Sequence, residues 1–184
     1  ILYAGTSVGI YKSVDGGRSW SGIGRFTGDS ITCLELYKRD YNNNSNVYLY
    51  AGTANGGVWV SSDGGNNWQE INGGAIEKGA SVKDILLDIS NKRLYAVTGI
   101  SGYDSYLQES YNQASKLSLL ELNSELLIPA GATSWIEVGD GLAEGVSIHA
   151  IAINDRNNGS QLYAGGGGVY DGGEAGFGDL HAAD

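Results

Sequence analysis

Between residues 99 and 115 the chain reads GISGYDSYLQESYNQAS, which groups Tyr103, Tyr106 and Tyr111 with Asp104 and Glu109. Aromatic rings offer flat apolar surfaces to the C–H faces of a sugar, while carboxylates and amides (here also Gln108, Asn112 and Gln113) hydrogen-bond its hydroxyls. A hydrolytic version of such a site needs two carboxyl groups roughly 5 to 10 Å apart, one acting as acid and the other as base or nucleophile. Asp104 or Glu109 paired with Asp84, Glu77 or Glu144 could supply them. The same stretch also suits a solvated surface loop whose tyrosines pack on the structure beneath.

Other chemistries have less support. Cys33 lies in the apolar run ITCLEL and reads as a small buried hydrophobe. With one Cys and two His in 184 residues, no disulfide framework or cysteine-based zinc site can form within the chain, and neither a metal nor a cofactor is expected. The net charge of −10 comes from 21 acidic against 11 basic residues without a basic cluster, so nucleic acid is not an expected partner. No apolar run approaches the roughly 20 residues of a membrane-spanning helix, and no signal peptide is visible. The absence of Met and the start inside the apolar run ILYAGT point to processing or excision from something longer.

The elements that must position these residues come from internal repeats. Thirty glycines against one proline, Pro129, indicate many tight turns, because glycine reaches positive φ without steric cost. One phrase recurs as ILYAGT, YLYAGT, RLYAVT and QLYAGG, carrying Tyr3, Tyr50, Tyr95 and Tyr163. A second phrase precedes three of these: SITCLEL from Ser30, SVKDILL from Ser81 and SIHAIAI from Ser147. Such short runs, bounded by Gly, Asn and Asp, read as buried strands. The unit is then four strands. Strand A is the SITCLEL phrase, and a polar turn such as RDYNNNSN leads to strand B, the LYAGT phrase. Strand C is GIYKS or GVWVS, and strand D follows a Trp, as in WQEI. Four strands in roughly 40 to 50 residues are the signature of a propeller blade.

Between strands C and D stand SVDGGRSW, residues 13 to 20, and SSDGGNNW, residues 61 to 68. An Asp opening a tight turn can accept backbone N–H groups ahead of it, Gly supplies the positive φ, and Trp covers the hairpin. One carboxylate per turn does not meet the roughly six to eight oxygens that calcium takes. The residues Ser13, Asp15, Gly17 and Trp20, and again Ser61, Asp63, Gly65 and Trp68, resemble the Asp box, or bacterial neuraminidase repeat. It recurs in the propellers of sialidases, xyloglucan-cleaving glycoside hydrolases, sortilin-type receptors and photosystem II assembly factors. The resemblance implies that the motif is structural and lies away from the ligand.

The expected fold is all-β: a partial propeller of four-stranded antiparallel blades, about three and a half in number, with Asp-box hairpins between strands C and D. Residues 1–23 form a partial blade, 30–72 a blade, 81–138 a blade with an inserted loop at 99–115, 147–170 a partial blade, and 171–184 a Gly-rich tail. The third blade keeps Trp135 but loses the Asp and its glycines. Three assemblies fit this count: a fragment of a longer propeller, a four-bladed ring, or a half-ring completed by another chain. An open half exposes apolar blade faces, which mark interfaces.

Strands alternate in direction, so the D to A and B to C connections share one face and the A to B and C to D turns share the other. Propeller ligands usually occupy the first, which makes the 99–115 insert and the loops GRFTGD, NGGAIEKGA and GDGLAEG the candidate site. Lys83 and His149 stand in the register of Thr32 within their strand A phrases and could point together toward the axis, clustering with Asp84. A histidine in a strand also suits a purely structural role.

The resemblance to sialidases fails at their arginine triad, since only Arg25 lies in a ligand-face loop. Xyloglucanase-like families share the YAGT, GGVW and Asp-box phrases, yet TANGGVW carries Asn55 where a carboxylate would be sought. The expected role is a secreted or surface module that binds a protein or glycan, with a glycoside hydrolase segment as the alternative. Low Lys and Arg, high Asn and Gly, and the sequons at Asn43 and Asn158 favour an extracellular or cell-surface location.

Overall fold

The computed structural model describes residues 1–24, 29–41, 44–77, 79–99, 101–104, 109–112, 115–123, 127–129, 133–140, 142, 147–154, 161–167 and 181–183. Strands β1 (Leu2–Thr6), β2 (Gly9–Ser13) and β3 (Ser21–Ile23) form a first antiparallel sheet. The second contains β4 (Ile31–Tyr41), β5 (Asn44–Thr53), β6 (Val58–Ser61) and β7 (Gln69–Glu70) in that order. In the third, β8 (Ser81–Asp88) and β9 (Arg93–Gly99) are followed by a separate hairpin of β10 (Ser101–Asp104) and β11 (Glu109–Asn112), after which β12 (Lys116–Glu121) and β13 (Ile136–Glu137) complete the order β8-β9-β12-β13. The fourth sheet is β14 (Ser147–Asn154), β15 (Gln161–Gly167) and β16 (His181–Ala183).

Three details differ from the sequence reading. The insert read as a loop at 99–115 carries antiparallel pairing from Ser101↔Asn112 to Asp104↔Glu109. The turn RDYNNNSN is largely strand, because the β4–β5 ladder continues to Tyr41↔Asn44. Within the Gly-rich 171–184 segment, His181–Ala183 pairs with Leu162–Ala164. In each case backbone pairing continues through polar or small residues whose composition alone reads as turn.

Sequence-adjacent sheets pack face to face. Tyr48–Ala51 and Leu94–Val97 are buried without alternation, as in strands covered on both sides. Tyr50, Val58, Ile71, Ile85, Leu94, Leu127 and Trp135 form the core between the second and third sheets. Tyr95, Val97, Leu117, Ile148 and Ile151 fill the space between the third and fourth. The glycine of the LYAGT phrase sets the spacing: a Cβ at Gly5 would meet Ile31 Cγ2 at 2.6 Å, and one at Gly52 would meet Val82 Cγ1 at 2.7 Å. Ile31 and Val82 both belong to the first strand of the following sheet.

The two octapeptides close the connections that follow β2 and β6 in the same way. Ser13 Oγ donates to Asp15 Oδ1 at 2.8 Å and accepts the Gly17 N–H at 2.8 Å. Asp15 Oδ1 accepts the N–H groups of Arg18 and Ser19, each at 3.0 Å. Around Asp63 the same bonds come from Ser61 at 2.8 Å, Asn66 at 3.0 Å and Asn67 at 2.9 Å. The Ser19 hydroxyl and amide hold Asp15 well below the usual carboxylate range. At Asp63 burial pulls upward, but the Asn67, Ser61 and Asn66 donors outweigh it and the carboxyl is lowered. Gly17 and Gly65 adopt φ of 93° and 92°, as these turns require. Trp68 packs with the Ile10, Ile31 and Ala51 cluster, whereas Trp20 is exposed.

Candidate functional site

The first strands of the second, third and fourth sheets each contain one extra residue. Pairing shifts between Ile31 and Cys33, between Val82 and Asp84, and between Ile148 and Ala150. Thr32, Lys83 and His149 are therefore bulge residues at equivalent places in three consecutive sheets. A bulge bends its strand and re-aims a side chain, which is why bulges collect at functional edges.

Two of the three residues are brought together. Lys83 Nζ donates to Ser115 Oγ at 3.0 Å and to Ser147 Oγ at 3.2 Å, and Ser147 Oγ lies 3.3 Å from His149 Nε2. Ser115 in turn donates to the Ile148 carbonyl at 3.2 Å. The lysine stem passes over Gly99, where a Cβ would stand 2.5 Å from Cε. Thr32 lies outside this network, with its hydroxyl 3.9 Å from Cys33 Sγ. Asp84 also turns away: Oδ1 accepts the Ile85 N–H at 2.9 Å and Oδ2 the Ile151 N–H at 2.8 Å, so it ties the third sheet to the fourth.

This network occupies the ends of β8 and β14 where the strands begin, together with the start of β12. The β10–β11 hairpin leaves β9 and returns to β12 at the same end, while the Asp15 and Asp63 turns close the opposite end of their sheets. Backbone alone is described at Tyr103, Asp104, Glu109 and Tyr111, and Tyr106 and Glu144 lie outside the described residues. Positions 104 and 109 are register partners at the closed end of the hairpin. Glu77 is exposed.

Sequence reasoning missed Ser115, Ser147 and Glu35. The Ser147 signal was its place at the head of the strand A phrase; nothing marked Ser115. Glu35 is half-buried, and burial first, then the negative charge of Asp84, pushes its carboxyl up. Burial likewise drives the Cys33 thiol up to about 12, so it stays protonated and unreactive at neutral pH.

The Glu35 shift has a testable sign. A carboxyl that holds its proton more tightly when folded favours the folded state at low pH, and that contribution is lost as pH rises from the ordinary value of 4.5 through the raised one. Glu35→Gln is expected to raise the Tm at pH 7 while changing it little at pH 4. Thermal unfolding at both values measures this, and a Tm at pH 7 equal to or below that of the parent contradicts it.

The GH74 enzyme of Niastella koreensis is similar to this chain with a TM-score of 0.61 at 14% identity, over 88% of this chain and 22% of that one. A GH74 xyloglucanase from Xanthomonas campestris gives a TM-score of 0.51 at 13% identity, over 98% of this chain and 27% of that one. Both neighbours are β-propeller enzymes. The fold is a partial β-propeller. The chain spans about a quarter of the length of either enzyme. No family model and no curated protein sequence matches it. At such identity the likeness is one of fold. In propeller terms the four sheets are blades, and β4, β8 and β14 are their A strands.

Proposed function

We propose that this chain is the glycan-binding part of an extracellular or cell-surface propeller, with its ligand at the end where Lys83, Ser115, Ser147 and His149 converge. The observation that carries the reading is the repeated A-strand bulge, which sets polar side chains of two adjacent blades into one hydrogen-bonded group. A buried structural cluster needs no such exposure as that of His149. The sequence between β9 and β12 also contains tyrosines at 103, 106 and 111, a residue type that stacks on sugar faces. The Asp15 and Asp63 turns act as Asp boxes, fixing the blades from the other end.

Affinity electrophoresis of the intact chain through polysaccharide-containing gels tests this. Retardation by at least one polysaccharide is expected, with loss of most of it in the Lys83→Ala, His149→Ala double variant. A chain that migrates unretarded in every gel, or a folded double variant that is retarded as before, would sink the reading.

The GH74 likeness supports a second reading, in which the chain is part of a glycoside hydrolase acting on a polysaccharide. Asp104 and Glu109 then carry the chemistry. Sugar release that persists in Asp104→Asn and Glu109→Gln removes them from that role.

Further blades, from the rest of a longer protein, from another protein or from a second copy, complete the ring in both readings. Leu2, Val8, Val14 and Trp20 support this, since all are exposed and all belong to the first blade or its turns.

A further inference from the structure

Among the described residues, those of its own blade included, no carboxylate forms an ion pair with the Lys83 ammonium. An ammonium carries three N–H donors. Two are spent on the Ser115 and Ser147 hydroxyls, which are neutral. Asp84, its neighbour in sequence, has directed both oxygens to backbone N–H groups.

Ser115 gives its proton to the Ile148 carbonyl and so meets Lys83 through a lone pair. Ser147 accepts from Lys83 and also meets His149 Nε2 at 3.3 Å, a contact that either imidazole tautomer can make. The open positions are thus the third Lys83 N–H and the Nδ1 side of the exposed His149 imidazole, which donates when the ring is protonated. A site built around a positive charge with a free N–H suits an oxyanion better than a neutral hydroxyl, because the charge strengthens the hydrogen bond to an anion.

We infer that the Lys83–His149 cluster receives the oxyanion of an acidic sugar, either the carboxylate of a uronic acid or a sulfate ester. This rests on the glycan-binding reading and specifies its ligand. The net charge of −10 makes the rest of the surface repel such a ligand, so attraction is local to this cluster and weakens as salt rises. Gly99 is part of the device, because a side chain there would displace the lysine stem.

The test is calorimetric titration of the intact chain with three sets of oligosaccharides of matched length: neutral xyloglucan fragments, oligogalacturonates and sulfated galactan fragments. One acidic set is expected to bind at least about tenfold tighter than the neutral set at low salt, the scale of one charge-assisted hydrogen bond. Which acidic set it is separates carboxylate from sulfate. Lys83→Gln, which keeps a donor for the serines but no charge, is expected to abolish the preference, and Lys83→Arg to retain most of it. Gly99→Ala is expected to weaken acidic binding while leaving Lys83 in place. Neutral fragments binding as tightly as acidic ones, or a preference that survives in Lys83→Gln, overturns the inference and leaves the glycan-binding reading standing. Binding of none of the three sets overturns both.

Discussion

Replacing Trp135 with Ala is expected to destabilise the fold by about 3–5 kcal/mol, the range for removing a fully buried aromatic from a core. Trp135 is only 2% exposed and packs in the cluster between the second and third blades. Its indole N–H donates to the Ile71 carbonyl at 2.6 Å. Its backbone is equally committed: the N–H donates to the Gly73 carbonyl at 3.2 Å, and the carbonyl accepts the Ala75 N–H at 2.9 Å. Gly74, with φ of 62°, crosses this backbone so closely that a Cβ would stand 2.7 Å from the Trp135 nitrogen. One residue of the third blade thus clamps the connection that follows β7, the last strand of the second. Trp135→Phe refills most of the volume but leaves the Ile71 carbonyl without its donor, so a smaller loss of about 1–3 kcal/mol is expected. Urea unfolding of the three proteins measures both. A loss below about 1 kcal/mol for Trp135→Ala shows that the clamp carries no weight.

Trp135 also shows where a sequence can be read and where it cannot. As the Trp that survives after the Asp and glycines have gone, it looked like a remnant of the octapeptide. Its role has changed with its surroundings: Trp68 Nε1 bonds the carbonyl of Gly65 within its own turn, whereas Trp135 Nε1 reaches back to the preceding blade. Leu127 enters the same cluster, and its carbonyl accepts the Tyr50 hydroxyl at 2.5 Å. No periodicity announces that a connection with a single Pro and scattered leucines will be core.

The blades themselves were legible because the LYAGT phrase recurs, and in β5 and β9 it is a strand buried on both sides, which tolerates few residue types. The bulges at Thr32, Lys83 and His149 were legible only as a shared register. Alignment puts the three residues at one level but does not say that Ser147 joins two of them, nor that Ser115 arrives from the far end of the insert. The Ser147 contact crosses between blades, and the two partners are 32 and 64 positions from Lys83. The pairing along the insert was hidden for a different reason: Ser, Gly, Asn and Asp are poor strand formers, and only the hairpin register orders them.

The spacing between blades yields the second large effect. At the fourth position of the LYAGT phrase the first two blades have Gly5 and Gly52, while the third has Val97. In the second blade a Cβ would meet Val82 Cγ1 and Cβ at 2.7 and 2.9 Å, and Cys33 Sγ as well. Val82 is β-branched and fully buried, so it cannot swing away. In the third blade Val97 and Ile148 lie together in a core cluster, and there the valine fills the space. Gly52→Val is therefore expected to cost about 1–3 kcal/mol through overpacking, although valine is the better strand former and is the residue the next blade uses. Val97→Gly is expected to be destabilising too, through an unfilled cavity and a more flexible unfolded chain. Each substitution copies its neighbour's residue into an otherwise equivalent strand. If Gly52→Val left the urea midpoint unchanged, the blades would have room to separate locally, and the glycine of the phrase would not be setting the distance between them.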